Sequence, residues 1–213
     1  MSGVEGWDQN LDLTREATEV DEFNLWKDLG NQSLRRGDFE RAEQAYARAE
    51  SLKPDSDVLK VNLGTLAIQR GDVSQAVDHF RDAVRINPEN DRGWLGLALV
   101  HRSFGDIDLA WANLEKSIDL NPELESGLWL AVDWAQRDGR FSWTLEKLTA
   151  HTQKWQHQSP FGLSLVRLLL DCGRIYQAQA QLQSVVDLRG RCSLAQELES
   201  ELRSLLKVQA HRL

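Results

Sequence analysis

Residues 57–90 read DVLKVNLGTLAIQRGDVSQAVDHFRDAVRINPEN, and the placing of small residues in this stretch decides the fold. Leu63 and Gly64 lie on one face of a first helical segment, and Gly71 supplies the left-handed residue that ends it. Asp72 stands where an N-cap belongs. Ala76, Phe80 and Ala83 then recur at i, i+4 and i+7 on the inner face of a second helix. Pro88 follows, where a helix cannot continue.

The same arrangement recurs every 34 residues. Gly37, Gly71, Gly105, Gly139 and Gly173 are each followed five residues later by Ala42, Ala76, Ala110, Thr144 and Ala178. Pro54, Pro88 and Pro122 close the first three repeats, whereas Gln156 and Gly190 hold that place in the last two. Five helix pairs therefore cover 23–56, 57–90, 91–124, 125–158 and 159–192. The first and third repeats fill the pattern with Trp26, Leu29, Gly30, Tyr46 and Ala49, then with Trp94, Leu97, Ala98 and Leu114. The last two are looser: Val132 and Val166 replace the small residue, and Arg140 and Arg174 replace the capping aspartate.

These residues resemble the tetratricopeptide repeat (TPR), a 34-residue helix–turn–helix with W-x2-L-G, a central alanine and a terminal proline. The resemblance covers about four fifths of the chain and implies an all-α, right-handed superhelix (an α-solenoid) with a concave inner surface. Such repeats cannot bury their apolar sides alone, so stacking is expected to make one continuous core. Residues 193–213 read as an amphipathic capping helix, with Leu194, Leu198, Leu202 and Leu205 inward and Glu197, Glu199, Glu201 and Lys207 outward. Residues 1–22 carry seven acidic groups and one arginine, and are expected to be largely disordered when free.

Composition narrows the function. The 213 residues carry a formal charge of −8, with 25 Lys+Arg against 33 Asp+Glu, which argues against nucleic acid and membrane as partners. No apolar run is long enough to cross a bilayer, and Glu5 and Asp8 stand where a signal peptide is basic and then apolar. A cytoplasmic protein is expected. Cys172 and Cys192 form no metal motif or disulfide framework, and the five histidines are scattered. No catalytic motif occurs, so the expectation is a non-enzyme without cofactor or metal. His101, facing the repeat interior, is read as a buried, hydrogen-bonded histidine and not as a catalytic one.

In this family the first helix of each repeat lines the concave groove. The matching positions here include Asn24, Lys27, Asn31 and Arg35, then Val58, Val61, Asn62, Thr65 and Ile68, then Arg92, Leu95, Leu99 and Arg102. Trp129 and Asp133 follow in the fourth repeat, Leu163 and Arg167 in the fifth. A groove with an apolar floor and basic flanks suits an extended or helical peptide with apolar and acidic residues. Lys27, Asn31, Asn62 and Arg92 also match the family's carboxylate clamp, but Gly96 stands where its fifth, basic group belongs. The clamp is expected to be incomplete.

Eight tryptophans are present, four of them (Trp129, Trp134, Trp143 and Trp155) in the fourth repeat. Trp143 and Trp155 occupy places that are polar in repeats one and two, which leaves interface and local repacking both open. Trp7, Leu11 and Leu13, set among acidic residues, form a candidate docking segment for the chain's own groove or a neighbour's; a solvated tail is the other reading. The expected role is an interaction adaptor. Self-assembly into homo-oligomers is the alternative, and a secretion-type chaperone is disfavoured by the number of repeats.

Overall fold

A computed structural model of the chain describes residues 5–210, with side chains described for 20–156 and 158–208. Among the described residues every regular element is helical. In chain order these are α1 (Glu5–Arg35), α2 (Phe39–Leu52), α3 (Asp57–Arg70), α4 (Val73–Ile86), α5 (Asp91–Ser103) and α6 (Ile107–Leu120). They continue as α7 (Glu125–Asp138), α8 (Phe141–Trp155), a 3-10 turn (Gln156–Gln158), α9 (Gly162–Asp171), α10 (Ile175–Arg189) and α11 (Ser193–Ala210).

The punctuation follows the sequence. Gly37, Gly71, Gly105, Gly139 and Gly173 all take positive φ, between 70° and 82°, where a side chain would be strained. Asp38 and Asp72 accept hydrogen bonds from the backbone N–H of Arg41 and Gln75, both at 3.1 Å. Ser56 and Asn90 cap α3 and α5 in the same way. The loose repeats show their difference here: Arg140 and Arg174 precede α8 and α10 without a side-chain cap bond.

The chain divides into two compact units, one ending at Leu120 and the other beginning at Asn121. The division falls near the end of the third repeat, and each unit has buried apolar residues of its own. In the first, Phe23, Leu34, Tyr46, Leu59 and Leu66 pack together, and Val61, Val77, Phe80, Leu97 and Val100 form the next cluster. Phe80 sits where two helices lack side chains. A Cβ added at Gly64 would lie 2.7 Å from its ring, and one at Gly96 would lie 2.3 Å away. In the second unit, Leu128, Leu148, Phe161, Leu168 and Leu198 are fully buried.

Helix α1 is continuous from Glu5, so the acidic N-terminal segment and the start of the first repeat share one helix. The side chains of Trp7, Leu11 and Leu13 lie outside the described residues. At the other end, α11 is rotated from the expected stripe. Ala195, Leu198 and Leu202 are buried, while Leu194 is 47% exposed. At 100° per residue Leu194 falls about 70° round the helix from the centre of that buried trio, on the flank that carries Glu201. Glu201, expected to face away, is turned toward α9.

Candidate functional site

In each compact unit the odd-numbered helices pack directly on one another, α1 on α3 and α3 on α5 in the first, α7 on α9 and α9 on α11 in the second. The even helices pack mainly on the odd ones. The odd helices thus form one continuous face of each unit, and their outward residues are the expected groove positions.

On the first unit's face, Arg92 and Leu99 are exposed, and so is Val58 at the start of α3; Leu95, Asn62, Thr65, Ile68 and Arg102 are half-buried. Val61 is an exception. At 9% exposure it belongs to the core cluster with Phe80 and Leu97, so it supports the face from below instead of lining it. The Thr65 hydroxyl is spent on its own helix, donating to the Val61 carbonyl at 2.9 Å.

Two of the clamp-like residues carry internal partners. Lys27 donates to the Asn24 side-chain oxygen at 2.9 Å and lies 5.6 Å from the centre of the Phe23 ring. Asn31 accepts from the Tyr46 hydroxyl at 2.8 Å. Burial pushes the Tyr46 phenol up to about 12, against the pull of Arg35, so this donor persists throughout the neutral range. Gly96 cannot be exchanged for a basic residue without displacing the Phe80 ring, which fills the space over it. The clamp therefore stays incomplete for a packing reason.

On the second unit's face the charges pair with each other. Arg167 makes a bidentate ion pair with Glu201 of α11, at 3.0 and 2.8 Å, and lies 3.9 Å from Asp171. The hydrogen bonds it donates to Glu201 hold its guanidinium above its ordinary range. Gln136 on α7 donates to Asp171 at 3.1 Å, so a polar chain from Gln136 through Asp171 and Arg167 to Glu201 crosses three helices. Arg167, expected as a free basic flank of the groove, is thus neutralised. The expectation placed Glu201 on the outer side of α11 and so missed this pair. The clue was present: Arg167 and Glu201 stand 34 residues apart, one repeat period.

Asp133 pairs with Arg137 at 3.0 Å. Trp129 is 45% exposed and leans on Phe161, with ring centres 4.6 Å apart. Trp143 and Trp155 are half-buried, each with a lysine near its ring, Lys147 at 5.5 Å and Lys154 at 5.3 Å.

The histidines have structural surroundings. His101 is buried, but its Nδ1 has no hydrogen-bond partner, because the Asp106 carboxylate stops 3.7 Å away; the expected satisfied histidine is corrected to that extent. His151 is hydrogen-bonded through Nδ1 to the Ser159 hydroxyl at 3.0 Å and meets the Phe161 ring edge-on. Burial lowers its pKa, with Lys154 adding to that and Glu125 and Glu123 opposing. Among the described residues no group of three or more His, Cys, Asp or Glu is placed to hold a metal ion, and no helix is long and apolar enough to cross a membrane.

Comparison with known proteins agrees with this architecture. Models of the tetratricopeptide repeat match residues 33–98 and 91–124. Among curated proteins no match is found. Among solved structures, pilF of Pseudomonas aeruginosa is 15% identical over 91% of this chain and 88% of its own, with a TM-score of 0.68. A tetratricopeptide repeat protein from Parabacteroides merdae ATCC 43184 is 16% identical over 90% and 76%, with a TM-score of 0.62. YrrB, a TPR protein with an unusual peptide-binding site, is 18% identical over 88% and 97%, with a TM-score of 0.60. At these identities the likeness is one of fold. The 34-residue period, the helix pairs it builds and these matches make the chain a tetratricopeptide-repeat protein, of a family whose fold serves in general as a protein–protein interaction scaffold.

Proposed function

We propose that the chain is a non-enzymatic adaptor that holds an apolar, acidic segment of a partner protein on the α1–α3–α5 face of its first compact unit, and that it works in the cytoplasm. The observation that carries the reading is the exposure of Val58 and Leu99, at 50% and 38%, on the same face as the exposed guanidinium of Arg92. Large apolar side chains left open beside a cation suit a ligand that brings apolar anchors and carboxylates. Lys27, Asn24, Asn31, Asn62 and Arg102 supply polar contacts along the flanks, and Leu95 adds apolar surface. Among proteins of this fold, YrrB is one with an unusual peptide-binding site, which supports a peptide ligand for this scaffold.

The test is titration of a labelled peptide of Glu and Leu against the wild type and against a Lys27→Glu/Arg92→Glu variant. Reversing two flanking charges is expected to weaken binding at least about tenfold at low salt, mostly through slower association. Unchanged affinity would refute the assignment of this face.

A further inference from the structure

The second compact unit presents a face of the opposite electrostatic kind. Residues one period apart on neighbouring odd helices meet there, as the Arg167–Glu201 pair demonstrates. The same register aligns Trp129, Leu163 and Glu197 in one row and Asp133, Arg167 and Glu201 in the next. Helix α11 is therefore more than an end cap: its flank with Leu194, Glu197, Glu201 and Val208 extends the face begun by α7 and α9.

The charges on this face are Asp133, Asp171, Glu197 and Glu201 against Arg137 and Arg167, four carboxylates against two guanidiniums. Both guanidiniums are already engaged by carboxylates of the face itself. Apolar surface accompanies the surplus acid, for Trp129, Leu194 and Val208 are 45%, 47% and 52% exposed. Trp129 is braced by Phe161, which is fully buried, so its exposed ring is held in place at little entropic cost to a ligand.

We infer that the α7–α9–α11 face is a second docking surface, and that its partner is a protein segment carrying Lys or Arg together with apolar side chains. A cation of the segment meets the Trp129 ring, where an ammonium or guanidinium is attracted by the π face. Another meets Glu197, whose carboxylate is exposed. Trp129 and Glu197 stand two helix spacings apart, about 16–20 Å, which an extended segment of about six residues spans. Apolar side chains between them cover Leu163 and Leu194. The inference shares with the reading of the first unit only the premise that odd-helix faces bind ligands. Its probe has the opposite charge and its variants lie in the other unit, so the two fail separately.

The experiment is fluorescence anisotropy with a labelled peptide of about twelve residues built from Lys, Leu and Ser, and with its Glu-for-Lys counterpart, on the full chain. Saturable binding of the basic peptide is expected, weakened about tenfold by Glu197→Lys and by Trp129→Ala. Glu40→Lys, the same charge change on exposed α2, should alter it by less than about twofold if binding is at this face rather than to net charge. Glu197→Lys lies on exposed surface and leaves the core untouched, so a loss of binding there reads the site and not the fold. Equal weakening by Glu40→Lys, absence of saturation, or displacement of the basic peptide by the acidic one would overturn the inference.

Discussion

Replacing Gly96 by alanine should destabilise the protein although alanine is the better helix former. Gly96 lies inside α5, where the exchange by itself would stabilise the helix by about 1 kcal/mol. The added Cβ, however, would lie 2.3, 2.4 and 2.6 Å from Cε1, Cδ1 and Cγ of Phe80. Phe80 is 2% exposed and has Gly64 on its other side, so its ring has no room to retreat. Overpacking of this kind costs about 1–3 kcal/mol, which leaves a net loss of up to about 2 kcal/mol once propensity is subtracted. All three contacted atoms lie beyond the Phe80 Cβ, so Phe80→Ala removes the collision. That change alone costs about 3–5 kcal/mol, but in its background Gly96→Ala should become stabilising. The assay is urea unfolding followed by circular dichroism for the four members of the double-mutant cycle. A rise in the unfolding midpoint for Gly96→Ala in the otherwise wild-type chain would show that the aromatic ring is not what keeps a side chain, and hence a basic clamp residue, out of this position.

Thr144 stands at the repeat's alanine position with its hydroxyl buried and unpartnered, so Thr144→Val should raise stability by about 1–2 kcal/mol in a thermal melt; a lower melting temperature would contradict this. His151 and His79 both have pKa values lowered by burial, so between pH 7 and 5 the unfolded chain binds more protons than the folded one. Stability is therefore full above pH 6.5 and is lost as pH falls through that value, and the urea midpoint should be lower at pH 5.5 than at 7.5; equal midpoints would rule out the buried neutral form. Light scattering of the full chain and of a chain lacking residues 1–20 is expected to give monomer masses for both. Association that disappears on truncation would instead move the reading to self-assembly through the Trp7, Leu11 and Leu13 segment.

The legible part of this protein is its local grammar. A glycine ends a helix through its own backbone freedom, an aspartate or asparagine caps the next through a hydrogen bond three residues away, and a proline blocks continuation through its own ring. The 34-residue repetition of these effects marks the helix pairs, and the alanine, tyrosine and phenylalanine positions mark the inner faces. The exposure of Arg92 on the first unit's face follows from helical phase within a regular repeat, and so was legible for the same reason.

What the chain alone left open depends on how one helix turns against another. Val61 and Leu99 both read as groove residues, yet Val61 is taken into the core by Phe80 and Leu97, whereas Leu99 is left out in solvent. Leu194 and Ala195 are adjacent, and a rotation of α11 by a fraction of a turn decides that the smaller one is buried. The same rotation brings Glu201 onto Arg167 and changes the second unit's face from a basic flank to an acidic one. Sequence determined the repeats because each rests on interactions within a few residues. The tertiary structure decided the charge of the second face because an ion pair between helices depends on their mutual rotation, which packing sets and helical phase alone does not.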